Sequence, residues 1–474
     1  MLLDPCLANR VPVTMAQTVN AGARLDRLPI GGFHRRLLWL IGAGAFVDAF
    51  DVYLAGGVMA KMVQEAFSTV DANAWFLSAG ASGMLVGAAF AGYFGDRFGR
   101  RYSYQANLLI FGLASLCATI APSVEALTLL RVIMGVGLGA EVVVASGTLL
   151  EFIPPLHRGR WMSLLVIVAN CGFLASTVVG YFVIPALGWR WMFGVAGLGA
   201  IAVWAARKGL PESPRWLESV GRTEEAERVL DEIEASVRKE HGALPLVTRT
   251  DHPRLSLMPL SALFASRMLP LTILGALTAV STFVAIFSFV SWLPTFMVKA
   301  GFPVATSLGF STVMSVGAPL GGLVGFVIAD RVLRKQSIIV TCLAIIVLGT
   351  VYPLLRSSAA VLIDGLALEI GIYTFVALGI YMYIPELFPT SIRLRGTGFC
   401  SMCGRAASIA SPFFVVLAYR KAGLTGVLMI VCGLLVLLIG AVLAVGVETM
   451  SNSLESISET DPSIIDGAAT KPGH

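Results

Sequence analysis

The sequence predicts an all-α membrane protein of twelve transmembrane helices in two pseudo-symmetric six-helix halves. Three observations carry that prediction. Of 474 residues, 56% are hydrophobic and 13% charged, against roughly 25% charged in soluble chains. Runs of about 20 mostly apolar residues, the length that crosses a bilayer core as a helix, recur along most of the chain. Two motif pairs also repeat: GDRFGRR at 95–101 returns as ADRVLRK at 329–335, and EFIPPLHR at 151–158 returns as ELFPTSIR at 386–393. Asp96 and Asp330 are 234 residues apart, and Glu151 and Glu386 are 235 apart. Two halves repeated in the same orientation are the organisation of a transporter.

In chain order, residues 1–36 form a mixed, polar N-terminal tail without the apolar core of a signal peptide. The N-terminal half, 37–207, has spans expected at 37–63, 74–95, 102–121, 125–150, 160–183 and 190–207. A polar linker, 208–267, follows. Its RTEEAERVLDEIEASVRKE segment, from Arg222, has charged helical spacing that belongs in water or at the membrane surface. The C-terminal half, 268–446, has spans at 268–297, 304–329, 336–355, 360–384, 395–419 and 422–446, and 447–474 is a tail. Basic residues crowd alternate links: Arg97, Arg100 and Arg101; Arg158 and Arg160; Arg331, Arg334 and Lys335; Arg393 and Arg395. The positive-inside rule puts those links, both termini and the linker in the cytoplasm.

The remaining features exclude other classes. The net charge of +5 is scattered between apolar runs, so no nucleic-acid partner is expected. Cys6 lies in LLDPC, without the small residues that precede a lipidated cysteine. Cys400 and Cys403 form a CxxC inside an apolar helical stretch, which reads as small core residues rather than a redox or metal pair. GVGLGAE at 135–141 is a loose glycine pattern within a span, suited to helix packing rather than nucleotide binding. No ATP-binding motif, metal cluster or nucleophile–base pair stands out, so neither a cofactor nor enzymatic activity is expected.

The residues GYFGDRFGRR after the second span, LRVIMGVGLG in span four and PESPRWL after span six resemble motifs of the major facilitator superfamily. The last of these is similar to its sugar-porter-like branches. Span seven, ILGALTAVSTFVAIFSFVSWLP, lacks the glutamine pair by which those sugar porters hold hydroxyls. DAFD in span one resembles the D-G-x-D of aromatic-acid/proton symporters, with Ala49 where they have glycine. GAEVVVASGTLLEFIPPLHRGR and RGTGFCSMCGRAASIASP resemble niacin-type transporters and both groups, respectively. The resemblance implies transport of a small, often aromatic carboxylate. By the same resemblance Arg131 belongs to a motif linked with proton coupling.

Ionisable residues at mid-bilayer cost roughly 2.5–3.5 kcal/mol each, so they tend to face a cavity or a partner. Counted along their helices, Asp48, Glu141 and Arg405 lie roughly 14–16 Å from the cytoplasmic side at 1.5 Å per residue. Arg405 offers a planar fork for a carboxylate, or pairs with an acid on a neighbouring helix. Asp48, Asp51 and Glu141 are the acids for proton handling and for the substrate site; the alternative is that one of them only pairs with Arg131 or Arg405. Asp48 and Asp51, three apart, share a helix face. Glu369, in span ten, is a weaker candidate for the pathway, and Asp364 lies near a helix end. Phe287 and Tyr373, with Phe283, Trp292 and Tyr381, are aromatics that could stack an aromatic acid, or simply pack. Asp96, Arg97, Arg100, Arg101, Glu151 and Arg158, with Asp330, Arg331, Glu386 and Arg393 in the other half, can pair between helix ends to gate the cytoplasmic side.

These readings converge on a monomeric secondary-active transporter of a bacterial inner membrane. It moves a small organic, aromatic-type anion with protons by alternating access. A sugar or polyol symporter, an exporter, or a non-transporting sensor on the same fold are the alternatives.

Overall fold

A backbone in hydrocarbon must satisfy its N–H and C=O groups within its own segment, which makes helices of the apolar runs. The computed structural model describes residues 20–247, 259–266, 268–329, 331–389, 392–446 and 448, and no strand occurs among them. A short α1 (Ala21–Asp26) precedes the first span, α2 (Gly32–Gln64). Then come α3 (Val70–Phe98), α4 (Arg100–Ala118), α5 (Val124–Phe152), α6 (Arg158–Leu187) and α7 (Arg190–Arg207). The linker carries α8 (Pro214–Ser219) and α9 (Thr223–His241). Span seven is α10 (Leu269–Ala285), widened by a π turn at Ile286–Val290 and continued by α11 (Leu293–Lys299). Span eight is α12 (Val304–Ser315) with α13 (Gly317–Ala329), and span nine is α14 (Arg334–Val351). Span ten is α15 (Ser358–Leu378), a second π turn at Gly379–Tyr383, and α16 (Ile384–Glu386). The last helix, α17, is Arg393–Val445.

Among the described residues nine helical stretches are long and apolar enough to cross a membrane. The last of them counts twice. At 53 residues α17 would be about 80 Å long if straight. It breaks at Ala422 and Gly423, and Gly423 has a φ of 60° that disfavours any side chain. The shorter α4 and α7, of 19 and 18 residues, complete the twelve.

The membrane face that carries α8 and α9 is called here the linker face, and the opposite one the far face. At the far face Thr69 and Ser123 cap α3 and α5, accepting from the amides of Ala72 and Ala126 at 3.1 and 3.3 Å. Below the caps the two helices lie backbone to backbone. A Cβ on Gly135 or Gly139 of α5 would strike the carbonyl of Gly80 or Met84, and one on Gly83 or Gly87 of α3 that of Val132 or Val136. The GVGLGAE pattern is therefore a packing seam. Gly92, nearer the linker face, has nothing within 4 Å of where its Cβ would stand.

The halves meet at the far face. Residues of α2, α3, α5 and α7 form one apolar cluster with Trp292, Phe296, Leu308 and Val415 of the other half. Trp75 meets Phe413 edge-on at 4.9 Å, Asp71 pairs with Arg420, and Thr177 bonds Ser315 hydroxyl to hydroxyl at 2.7 Å.

The charged face of α9 is exposed, while Ala226, Leu230, Ile233 and Val237 dock into the linker-face core of the N-terminal half. Arg24 and Arg27 of α1 and its C-terminal cap reach Glu234 at 2.8 and 2.9 Å. Burial works to raise the Glu234 carboxyl, but these hydrogen bonds outweigh it and hold the group below its ordinary value.

Candidate functional site

Two buried ion pairs stand inside the N-terminal half. Arg131 of α5 pairs with the Asp51 carboxylate of α2 and also donates to the Asp51 carbonyl at 3.0 Å. Its guanidinium lies 5.3 Å from the Phe76 ring centroid, beside Gly80, where a Cβ would crowd it. Nearly three turns of helix nearer the linker face, Glu141 of α5 pairs with Arg207, the last residue of α7. Arg207 also donates to the carbonyls of Leu40 and Ile41 at 2.8 and 2.9 Å, in space that a Cβ on Gly44 would fill. The sequence expectation had Arg131 as a pairing alternative but not Arg207. A lone arginine ending an apolar run reads as a flanking charge, whereas α7 turns this one inward.

Asp48 sits between these pairs on α2. It is 5% exposed, its charged neighbours are Glu141, Arg207 and Asp51, and neither carboxylate oxygen has a hydrogen-bond partner among the described residues. The acids and two arginines are thus gathered within one half.

Arg405 belongs to the other half, on α17. Among the described residues it makes no ion pair, and its electrostatic neighbour is Tyr381 in the π turn of span ten. Tyr381 is 54% exposed although it also neighbours Tyr53 and Tyr373 in the interior. Phe287 lies in the π turn of span seven and stacks on Phe283 at 6.4 Å. Tyr373 is buried and stacks across the halves on Phe173 at 5.8 Å, with Tyr53 4.2 Å beyond it.

At the linker face Arg100 bonds Glu151 at 2.9 Å and Asp96 at 2.6 Å. Arg158 turns away from Glu151 to the Ile153 carbonyl and to Asp26. The amides of Arg100 and Arg101 donate to Glu212, and Arg215 binds Asp26 at 2.5 Å and the Glu151 carbonyl at 2.8 Å. Burial pushes the Glu212 carboxyl up, against the amides that hold it. Glu212, Arg215 and Asp26 were missed as members of this network, although PESPRWL supplies two of them. Arg97 is exposed, over the Phe98 ring. In the second half Glu386 pairs with Arg334 at 3.1 Å, and Arg393 donates to the Phe388 carbonyl. Arg331 is exposed, and Asp330 lies outside the described residues. Cys400 is buried and Cys403 half-buried, and the described residues hold no cluster that could bind a metal ion.

A bundle of twelve spans in two halves, sealed at one face and with ionisable residues in its middle, is a secondary transporter of the major facilitator superfamily. Residues 40–460 match the family described as "Sugar (and other) transporter", and the chain belongs to that family. It is 34% identical over 453 residues to the inner membrane metabolite transport protein YdjE of Escherichia coli, covering 94% of this chain and all of that one. It is 32% identical over 444 residues to the niacin transporter NiaP of Acinetobacter baylyi, covering 92% and 99%. Among solved structures it resembles the partially occluded, inward-open xylose transporter XylE of Escherichia coli, with a TM-score of 0.71 and 18% identity over 88% of this chain and 100% of that one. The chain is a multi-pass membrane transporter, not an enzyme.

Proposed function

We propose that the transporter moves a small aromatic carboxylate together with protons, by alternating access. The observation that carries this reading is Arg405, a guanidinium inside the membrane with no ion pair among the described residues, next to the exposed ring of Tyr381. A planar donor fork beside an aromatic face suits a carboxylate on a ring. The relative named a niacin transporter supports the same substrate class. Phe287 and Tyr373 supply further aromatic surface from spans seven and ten.

On this reading the proton centre is the N-terminal half. Asp48 has no hydrogen-bond partner among the described residues and takes the first proton; Asp51 and Glu141 respond through Arg131 and Arg207. On the same reading the linker face is cytoplasmic, at a bacterial inner membrane, the transporter works as a monomer, and the far-face contacts between the halves support an inward-facing state. In the opposite state the charges around Asp96, Arg97, Arg100, Arg101, Glu151 and Arg158 meet those of Arg331, Glu386 and Arg393, with Asp330, to close the cytoplasmic side.

Uptake into proteoliposomes across aromatic acids, aliphatic acids and sugars, with and without a pH gradient, tests the reading. An aromatic acid should accumulate only with the gradient. Arg405→Ala should weaken its binding about a hundredfold, as the loss of two charge-assisted hydrogen bonds implies, while expression stays intact. Sugar or polyol substrates are the competing reading, favoured by the family description, and accumulation of a sugar but no acid would replace ours.

A further inference from the structure

Span ten carries a further buried acid that the N-terminal charge centre leaves unused. Glu369 is 2% exposed, and its Oε2 has no hydrogen-bond partner among the described residues. It lines a narrow cleft between the halves with Tyr53, Phe173, Ser176, Thr177 and Ser311. The Ser176 hydroxyl, from the opposite half, is equally buried and also without a partner. Two orphaned polar groups, one from each half, thus face one cleft.

The cleft sets the size of its occupant. Its volume open to the centres of water molecules is about 20 Å³, room for one or two waters and not for a metabolite. Its surroundings set the charge. The titratable groups near Glu369 are Tyr53 of α2, Tyr352 beyond the end of α14, and Tyr373 on its own helix. Asp364, a further acid, neighbours Tyr352. None of these is basic, and among the described residues no arginine, lysine or histidine lines the cleft. An ionised carboxylate here would be a bare charge in the membrane interior.

We infer that Glu369 is a second proton-binding site, separate from the Asp48 centre, loaded from the far face and held between the halves in the present state. Thr177 bonded to Ser315, and Thr312 bonded to the Thr177 carbonyl at 3.0 Å, close the cleft on the side of spans five and eight. The stack of Tyr53, Phe173 and Tyr373 adjoins it. When the halves rock apart at the far face these contacts part, and the carboxylate takes a proton from water there. When the far face closes again, the proton is carried inward with the substrate. The transport role rests on the proposed proton symport; the protonation itself does not.

Two measurements on the full-length protein separate those claims. Infrared difference spectra at neutral pH should show the carbonyl band of a protonated carboxyl in wild type that is missing from Glu369→Gln. Identical spectra would overturn the inference, as would loss of the band on adding sodium ions at fixed pH, since the site would then be a sodium site. In proteoliposomes, Glu369→Gln, a neutral mimic of the loaded state, should keep substrate counterflow within about twofold. Its pH-driven accumulation should drop about tenfold per unit of pH gradient, the value of one proton. Unchanged proton stoichiometry in that variant would refute the transport role. Glu369→Asp, which restores the acid, should recover coupling; failure to recover it in a variant with intact counterflow counts against the site. A wild type showing the band but no pH-driven uptake would remove the symport reading and leave the protonation standing.

Discussion

Removing Arg207 tests how the N-terminal half tolerates its buried charges. Arg207→Ala strands the Glu141 carboxylate between α2, α5 and α7, and it strips the Leu40 and Ile41 carbonyls of donors at 2.8 and 2.9 Å. Those carbonyls belong to α2 and keep their helical partners, so the stranded charge dominates. Breaking a buried pair from one side costs about 3–5 kcal/mol. For a unit the size of one half, that corresponds to a fall in melting midpoint of roughly 6–20 °C. Thermal melts of the purified protein in detergent, read by size-exclusion recovery, measure it. The double variant Arg207→Met with Glu141→Leu removes both charges and should recover most of the loss. A single variant melting within about 2 °C of wild type, or a double no better than the single, would show that Glu141 is not held as an ion and that the reasoning is wrong.

Other perturbations should differ in size and sign. Gly139→Leu forces a side chain into the Met84 backbone, where no rotamer change can make room, and should abolish recovery of folded protein; normal yield would contradict the packing seam. Glu234, held below its ordinary value, contributes to docking of α1 above about pH 4.3, and that contribution is lost as pH falls through the lowered value. Limited proteolysis at the N-terminal segment should therefore rise in acid for wild type, and be raised and less pH-dependent in Glu234→Gln. Asp71 and Arg420 are each more than half exposed, at 53% and 64%, so Asp71→Asn should shift the balance of access states by no more than about fivefold. A larger shift in the accessibility of an engineered far-face cysteine would mean that this pair is the main far-face lock.

Much of the fold was legible because each span announces itself by length and the repeat fixes their number. The motifs at 95–101 and 329–335 located the linker-face turns, and the polar segment from Arg222 declared an amphipathic helix. The partners were not legible. Asp51, Glu141 and Asp48 stood out as costly charges, but which arginine met which acid depended on helix rotation. Arg207 shows the limit: its position at the end of an apolar run gives no sign of whether it snorkels outward or folds back under α2. Likewise the charges at 96–101, 151 and 158 were legible as a group that pairs between helix ends, but not that the proline-bearing turn at Pro155–His157 would leave Glu151 to Arg100 and Arg158 to α1. The break at Gly423 was legible only as a boundary between two apolar runs.

The π turn at Gly379–Tyr383 accounts for the single residue by which the two repeats differ. Arg100 and Arg334 are 234 apart, and so are Ser123 and Ser357, which precede α5 and α15. Glu151 and Glu386 are 235 apart, so the additional residue lies within span ten itself. A π turn is what one inserted residue makes of an α-helix. Left unabsorbed, the insertion would swing everything after it by about 100°. The widened turn takes it up and returns Glu386 to Arg334 at 3.1 Å, the match of Glu151 with Arg100 at 2.9 Å. Tyr381 sits in the middle of that turn, at a place for which span four has no counterpart. The two repeats agree at their ends and diverge by one insertion, at the level where a ring stands beside Arg405.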